Sequence, residues 1–237
     1  MRWVVGIFSC WLIVGFAFGA LAQEGMEPQV LSVYYTEEPP VIDGDLAEWE
    51  HLTPIYLSSA APPWLQGFRV WEPLVTREPV IAPTFSSAQI WLLWDQHNLY
   101  LAARIWEEDV SKYSRLNLYI DPQGRRSNKV LPDQVCFRVA NQTSLRDGAV
   151  QEDLQSRRTS PLWEVVTAPW SGGWTLEAVL PLNGVLGSVL RANMEMTCEI
   201  TLEKMDQDGK RLSSLAYFGG MEHWIKSYSW GTLLLKK

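Results

Sequence analysis

Apolar and polar residues alternate with a period of two along most of the chain, a pattern that predicts β-strands. No segment keeps a helical period for more than two turns, and only residues 46–49 favour a single helical turn. Gly, Pro, Asp and Asn residues separate the alternating stretches, as expected of turns. The predicted strands are, in chain order, 30–34, 55–58, 88–94, 99–106, 115–120, 134–140, 163–167, 174–180, 195–203 and 231–235.

Many short strands without long helices predict an all-β fold, an antiparallel β-sandwich with a jelly-roll-like arrangement. Two pairs of strands are expected to form hairpins, about residues 95–98 and 171–173. Residues 61–85 hold many of the prolines and are predicted to form a long loop, which in a compact domain often carries function. We expect one sandwich domain over 29–237, preceded by a short linker at 23–28.

The first 22 residues have the pattern of an export signal. Arg2 supplies a positive start, an uncharged apolar run follows, and the small-x-small pattern at 20–22 is typical of a cleavage site. We expect cleavage before Gln23, no stable membrane span afterwards, and a secreted, periplasmic or cell-surface protein. An uncleaved anchor is the alternative, because the apolar run approaches the length that spans a bilayer.

Tryptophan is the unusual feature of the composition, with 13 residues in a chain of 237. So many indoles are difficult to bury in one core, and we expect some of them on a surface that binds a flat, partly apolar ligand. The chain is acidic, with a formal net charge of −7. Because nucleic acid is bound by basic faces, no nucleic-acid partner is expected.

Strand parity predicts a polar face on the sheet. If the strands that hold Asn117 and Arg138 pair, these two side chains share one face with Tyr119, while the aliphatic residues between them point to the core. Such a face is both polar and aromatic, which distinguishes it from an ordinary solvated surface.

Two cysteines remain once the predicted signal is removed. Cys136 has the parity of Arg138, whereas Cys198 has the parity of core-facing neighbours. Export permits a disulfide between Cys136 and Cys198, and their opposite parities oppose it, so both states stay open.

Motifs of catalysis are absent from this sequence. The three histidines share no metal-ligand spacing with cysteine or with one another, and no nucleophile elbow, phosphate loop or dinucleotide motif occurs. Acidic residues cluster at 43–45 and 107–109, beside turns, where carboxylates are usually solvated or cap the chain. The last predicted strand also ends close to the last residue, without room for a catalytic domain. We therefore expect a protein that is not an enzyme.

Calcium is the one cofactor that these acidic turns leave open, because hard cations take carboxylate and carbonyl oxygens. Neither cluster has the spacing of an EF-hand, so no residue is assigned to a metal. No other cofactor is predicted.

Five short motifs follow one another along nearly the whole chain after the predicted signal. They are Pro40-Val41-Ile42-Asp43-Gly44-Asp45-Leu46-Ala47-Glu48-Trp49, Leu93-Trp94-Asp95 with Asn98-Leu99-Tyr100-Leu101, Tyr119-Ile120-Asp121-Pro122, Gly173-Trp174-Thr175-Leu176-Glu177-Ala178-Val179-Leu180-Pro181, and Trp224 through Trp230-Gly231-Thr232-Leu233-Leu234-Leu235. Their order resembles that of family 9 carbohydrate-binding modules and of the wider group of DOMON-like sandwiches.

The resemblance implies a β-sandwich with a slot in which two tryptophans enclose a sugar ring. Trp224 matches one slot tryptophan and Arg138 a polar slot residue, while Asn117 stands where the family has a glutamate. The second slot tryptophan is absent, and Tyr113 or, earlier in the chain, Trp106 is expected to replace it. The implied function is non-catalytic binding of a polysaccharide or an oligosaccharide, beside a separate glycan-active enzyme.

Two other functions stay open. DOMON-like sandwiches also bind haem for electron transfer, which needs axial ligands that face one pocket. The candidate ligands are His97, Met194, Met196, Lys204 and His223. A structural or adhesive envelope module, whose aromatic residues contact other proteins, is the third interpretation.

Several other landmark residues are expected to be structural. Trp49, Trp91 and Trp174 share the parity of aliphatic neighbours and are predicted to lie in the core. Asp43 and Gly44 are predicted to form a turn, and Glu177 to make structural hydrogen bonds from the middle of a strand.

Overall fold

The computed structural model describes residues 29–57, 69–71, 87–107, 113–141, 149–161, 164–209, 211–218 and 227–237. The predicted export signal and Trp224 lie outside the described residues. The strands are β1 Val30–Tyr35, β2 Ile55–Leu57, β3 Arg69–Trp71, β4 Ser87–Trp94, β5 Leu99–Trp106, β6 Tyr113–Asp121, β7 Val135–Ala140, β8 Ala149–Asp153, β9 Thr159–Pro161, β10 Glu164–Trp170, β11 Gly173–Leu180, β12 Glu195–Met205, β13 Arg211–Ala216 and β14 Gly231–Lys236. A short helix, α1, spans Leu182–Leu186, and one turn of 3-10 helix spans Ser227–Ser229.

All the strands belong to one sheet, whose main path runs β10-β11-β5-β4-β1-β14-β12-β6-β7-β8-β9. Neighbouring strands are antiparallel except at β1, which pairs in parallel with both β14 and β4. β1 therefore joins two halves of the sheet. The first half consists of β10, β11, β5, β4 and β2, and the second half of the strands from β14 to β9 together with β13 and β3.

The sheet curls around one hydrophobic core, to which both halves contribute alternate residues. The core residues of two central strands are Leu99, Leu101, Ala103 and Ile105 from β5 and Leu116, Leu118 and Ile120 from β6. Each is almost completely buried, and burial of one such aliphatic side chain stabilises the fold by about 1.5–3 kcal/mol. The prediction of an all-β sandwich is confirmed. The pattern was informative because a strand with period-two alternation has one apolar face, and that face packs on the core.

A second buried cluster lies on the side of the first half that faces away from this core. The Glu177 carboxylate of β11 accepts hydrogen bonds from the backbone N–H groups of Asp43 (3.0 Å) and Gly44 (2.5 Å) and from Trp49 Nε1 (2.7 Å). Gly44 has a φ of 90°, the left-handed conformation that glycine adopts without strain. These bonds hold the segment after β1 against the sheet, and they confirm the structural roles predicted for Asp43, Gly44, Trp49 and Glu177.

Four strands and one helix were absent from the sequence prediction: β3, β8, β9, β13 and α1. All four strands lie at or near the edges of the second half. Strands at or beside a sheet edge are often short and partly polar, so their alternation is weak, as in the Ala-Val-Gln-Glu-Asp sequence of β8. The predicted loop at 61–85 is wrong at residues 69–71, which form β3 and pair with β13, while the rest of that loop lies outside the described residues.

Cys136 and Cys198 are free thiols, and both are buried. Cys136 lies on β7 with Tyr119, Leu154 and Trp230, whereas Cys198 lies on β12 within the main core. Strand β6 separates the two strands, and the cysteines project from opposite faces of the sheet. The disulfide that export would permit is therefore not formed.

Candidate functional site

The second half of the sheet carries a row of polar side chains on the side away from the core, here named the polar face. Its central members are Asn117 on β6, Arg138 on β7, Glu152 on β8, and Thr201 and Glu203 on β12. The register pairs Asn117 with both Arg138 and Thr201. Residues that are paired across neighbouring strands project to the same face of the sheet, so all three side chains lie on one face. Strand parity predicts this for Asn117 and Arg138.

Arg138 is held at two of its three guanidinium nitrogens. Nε donates to Asn117 Oδ1 at 3.1 Å, and one terminal nitrogen, Nη2, donates to a carboxylate oxygen of Glu152 at 2.7 Å. The third nitrogen, Nη1, has no hydrogen-bond partner among the described residues, and the side chain is 23% exposed. A planar guanidinium held in this way presents fixed, charged N–H donors to a ligand.

Electrostatics keep Arg138 charged. Burial by itself would lower the pKa of Arg138, but the acidic groups around it, among them the Cys136 thiol and Glu152, raise that pKa above its usual range. Charge-assisted hydrogen bonds from this guanidinium are therefore available at any pH at which the fold exists.

Asn117 is completely buried, and its amide has a defined orientation. Nδ2 donates to Thr201 Oγ1 at 2.9 Å, so Oδ1 is directed to Arg138. In this protein Asn117 orients Arg138, because its own oxygen is already engaged by that guanidinium.

Two buried glutamates organise the arginines of the polar face. Glu152 bridges Arg138 and Arg157, whose Nη1 lies 2.6 Å from Glu152 Oε1. Glu203 bridges Arg115 and Arg211 in the same way, with Arg211 Nη1 at 3.0 Å from Oε1. Removal of the arginines from such a bridge would leave a buried glutamate charge uncompensated, which costs stability.

An aromatic cluster adjoins the polar face along β6. Tyr119 and Trp230 are buried with ring centroids 5.9 Å apart, and burial raises the pKa of Tyr119 well above its usual value. Beside Trp230, a side chain at Gly231 would place its Cβ 2.0 Å from the Phe218 ring. The Trp230-Gly231 motif therefore has a packing role, since only glycine admits Phe218 at this distance.

Trp224 lies outside the described residues, but the chain on either side of it is described. Before it, the Phe218 backbone N–H donates to Glu199 Oε1 at 2.9 Å, and Glu199 projects from the same side of β12 as Thr201. After it, Ser227 is buried and its hydroxyl accepts a hydrogen bond from Gln134 Nε2 at 3.0 Å. Both flanks of the Trp224 segment are thus fixed by buried polar groups of the second half.

The two candidate replacements for the second slot tryptophan differ in position. Tyr113 begins β6, two residues before Arg115, and its side chain lies outside the described residues. Trp106 ends β5 in the first half, where its ring lies edge-on to Trp170 with centroids 5.8 Å apart. Trp106 therefore lies in the other half of the sheet from Arg138. The role of Tyr113 stays a prediction.

Two cavities flank Trp170, and neither is lined by a residue of the polar face. One, of about 380 Å³, is lined by Gly44, Asp45, Leu46, Arg104, Trp106, Trp170 and Thr175. The other, of about 430 Å³, is lined by Glu107, Asn141, Trp170, Ser171, Gly172, Gly173 and Trp174. The sequence analysis did not identify Trp170, because the predicted strand ended at residue 167. The tryptophans on either side of Gly172-Gly173 were the signal that indicated an aromatic hairpin.

Two of the acidic residues considered for a metal stabilise a turn, and the haem-ligand candidate His223 lies outside the described residues. Asp43 Oδ1 accepts the N–H of Asp45, and Asp45 Oδ1 accepts that of Ala47, so both carboxylates stabilise the turn. His97 is exposed in a hairpin turn, whereas Met196 is completely buried in the core. In the described residues no group of three or more His, Cys, Asp or Glu side chains is placed to hold a metal ion.

No helix within the described ranges is long and apolar enough to span a bilayer.

Comparisons with known proteins give one family and a consistent fold. Residues 70–237 match the family model described as carbohydrate family 9 binding domain-like. A family 9 carbohydrate-binding module from Caldicellulosiruptor kristjanssonii in complex with cellotriose is 17% identical, with a TM-score of 0.61, over 88% of this chain and 94% of that one. A module of the same family and organism in complex with glucose is 16% identical, with a TM-score of 0.60, over 88% and 96% of the two chains. No curated protein sequence matches the chain. At these identities the two structures establish a shared fold.

Proposed function

Because the chain belongs to the carbohydrate family 9 binding domain-like family, we propose that it binds a saccharide, without catalysis, at the polar face around Arg138. The observation that carries this proposal is the state of the Arg138 guanidinium. Asn117 and Glu152 hold two of its nitrogens, and the third has no partner in the described part of the chain.

Such a guanidinium suits a sugar because neighbouring hydroxyls present two acceptor oxygens to one planar donor group. Desolvation of a hydroxyl that gains no hydrogen-bond partner costs about 1–3 kcal/mol, so a donor already in position favours a hydroxylated ligand. Since Asn117 and Glu152 immobilise the side chain before any ligand arrives, little rotamer entropy is lost on binding.

The proposed stacking partner is Trp224. One face of a pyranose is a patch of C–H bonds, and an indole offers it a broad, electron-rich apolar plane. Phe218 and Ser227 anchor the segment that holds Trp224 to the second half of the sheet. Tyr113, at the start of β6, is the proposed second wall of the slot.

Glucose and cello-oligosaccharides are the first ligands to test. The two family modules with this fold were solved in complex with cellotriose and with glucose.

We also propose that the protein is exported and acts beside a separate glycan-active enzyme. The N-terminal pattern ending at Ala22 supports export. The intact mass of the protein secreted by its native host should correspond to a chain that begins at Gln23. A mass that includes residues 1–22 would contradict cleavage.

The decisive experiment measures cellotriose affinity by isothermal titration calorimetry. Arg138→Ala should weaken binding at least tenfold, because it removes a charged donor and leaves ligand hydroxyls unpaired. Arg191→Ala is the matched control, since Arg191 is an exposed arginine in the turn before β12. Equal affinity of Arg138→Ala and Arg191→Ala would remove Arg138 from the site.

Trp224→Ala tests the proposed stacking partner, with Tyr34→Ala as the matched control. Tyr34 is an aromatic residue on β1 that is 59% exposed. We expect Trp224→Ala to abolish measurable cellotriose binding, while Tyr34→Ala leaves it unchanged. Binding that survives the loss of Trp224 would disprove the proposed slot.

A further inference from the structure

The charged groups of the polar face differ in depth according to their sign. Side-chain exposure is 2% for Glu203 and 8% for Glu152, whereas it is 23% for Arg115 and for Arg138, 25% for Arg211 and 55% for Arg157. Glu199, a third acid on this side of β12, is completely buried. The carboxylates therefore lie beneath, and solvent reaches the four guanidinium groups, here named the arginine layer.

The arginine layer has more charge than the buried acids need. One arginine neutralises one carboxylate, yet Glu152 and Glu203 each contact two members of the layer. Glu199 accepts hydrogen bonds from backbone N–H groups and offsets one of the two surplus charges. Four arginines against three glutamates leave one net positive charge, in a chain whose formal net charge is −7. Because arginine does not lose its proton, this surplus persists at every pH of the folded protein.

Two neighbouring members of the layer each keep one nitrogen without a partner. Arg115 donates from Nε (2.9 Å) and Nη2 (2.5 Å) to the same oxygen of Glu203, and its Nη1 has no partner among the described residues. Arg138 Nη1 is in the same state within the described ranges.

Strand register brings these two arginines together. Asn117 pairs with Arg138 and lies two residues after Arg115 on β6, so all three side chains project to one face. Arg115 and Arg138 are therefore diagonal neighbours across β6 and β7, a relation that places residues about 7–8 Å apart. A single group on a ligand can lie against both guanidinium groups at this spacing.

The arginine layer selects a ligand by its charge. A metal cation is repelled by four guanidinium groups, because like charges meet there with the carboxylates buried beneath. A hydroxyl group uses the unengaged N–H donors but does not use the positive surplus. A carboxylate uses both, since its two oxygens accept charge-assisted hydrogen bonds from a planar guanidinium.

We infer that the saccharide bound at the polar face carries a carboxylate, as a uronic acid unit does, and that this group lies against Arg115 beside Arg138. The inference rests on the proposed function, because it names the ligand class of the same site. It goes beyond that proposal, since the two family modules were solved with the uncharged sugars cellotriose and glucose.

The test compares glucuronate with glucose, which differ only in the carboxylate that replaces the hydroxymethyl group. Chemical-shift titration by nuclear magnetic resonance measures both dissociation constants. At about 0.01 M salt we expect glucuronate to bind about tenfold more tightly or better, and this preference should fall as sodium chloride is raised to about 0.5 M, because salt screens the attraction. Glucuronamide, which has the shape of glucuronate without its charge, should bind no more tightly than glucose.

Arg115→Gln locates the carboxylate on the polar face. This variant should lower the preference for glucuronate over glucose about fivefold or more, while Arg115→Lys, which keeps the charge, should retain part of it. Arg104→Gln is the matched control, because Arg104 is a strand arginine of the first half that is 29% exposed and pairs with Glu50 at 2.6 Å. If Arg115→Gln does not fold, Arg211→Gln removes the other arginine of Glu203 and should also lower the preference.

The outcomes separate this inference from the proposed function. Glucose that binds as tightly as glucuronate, or more tightly, would overturn the inference and leave the proposed function intact. A preference that is unchanged by salt, or by both Arg115→Gln and Arg211→Gln, would also overturn it. If neither these sugars nor cellotriose bind, the proposed function fails and the inference fails with it.

Discussion

The two halves of the sheet treat buried carboxylates differently on their sides away from the core. In the first half, Glu177 accepts three hydrogen bonds from uncharged N–H groups of the segment after β1. In the second half, Glu152 and Glu203 each bridge two arginines. All three glutamates lie within strands and are at most 6% exposed.

The partner decides the role of each carboxylate. Backbone and indole N–H groups of the segment after β1 occupy the acceptor positions of Glu177. That segment also covers the carboxylate, which closes the surroundings of Glu177 to a ligand. An arginine has five N–H donors, and the Glu152 carboxylate engages only one terminal nitrogen of Arg138. Residue type, burial and position on the outer side of the sheet are alike in the two halves. Only the partners distinguish an acid that holds a covering segment from one that positions an arginine.

Glu177→Ala should produce the largest effect. It leaves the N–H groups of Asp43 and Gly44 and the indole of Trp49 without an acceptor, which should lower the free energy of unfolding by about 3 kcal/mol or more. Urea denaturation measures this loss. Cellotriose affinity, measured on the protein that remains folded, should stay at the wild-type value.

Glu177→Gln distinguishes acceptor loss from cavity formation. Glutamine has the shape of glutamate, but its NH2 group would face at least one of the three donors, so the variant should still lose about 1–3 kcal/mol. Burial raises the pKa of Glu177, and the hydrogen bonds from Trp49 and the backbone oppose that rise. Wild-type stability in Glu177→Gln would show that the carboxylate is not needed to hold the covering segment.

Glu152→Gln should have a moderate effect, on affinity more than on stability. The bond from Arg138 Nε to Asn117 remains, whereas the charged partner of Nη2 is lost, so the guanidinium is held less firmly. We expect cellotriose affinity to fall about three- to tenfold, as the loss of one charge-assisted bond implies. Calorimetry measures it, with Glu50→Gln as the control, because Glu50 is an exposed partner of Arg104. Identical affinities would show that Glu152 does not position Arg138.

The smallest change is expected in thiol reactivity. Burial raises the pKa of Cys136 to about 12 and that of Cys198 well above its usual value, so both stay protonated as pH rises from 7 to 9. An Ellman assay of the folded protein should therefore detect almost no thiol over this range, and two per chain after denaturation of the protein that begins at Gln23. Fast labelling of Cys136 alone would show that the second half opens on its polar side.

Much of the fold could be predicted because its signals are local. Alternation in 99–106 and 115–120 identifies two central strands and their core faces, since the pleat repeats every two residues. Asn117 and Arg138 were placed on one face for the same reason. The covering segment after β1 was also predictable in part, because Asp43-Gly44 is a strong turn signal.

The hydrogen bonds that give the site its geometry could not be predicted. Glu152 lies on β8, a short strand beside the edge strand β9 and without clear alternation, so the sequence offered no partner for Arg138. Trp170 and Asn141 lie on different halves of the sheet and line one cavity only because the sheet curls. Such contacts depend on register and curvature, which no local pattern encodes.

The sequence by itself determined the all-β architecture and the side of the sheet on which Asn117, Arg138 and the two cysteines lie, because strand parity follows from backbone geometry alone. Tertiary structure decided which buried glutamate holds the segment after β1 and which holds an arginine. Glu177 meets donors more than 120 residues away in the chain, whereas Arg138 meets Glu152 through strand pairing. A side chain acquires a structural or a functional role from the partner that the folded chain brings to it.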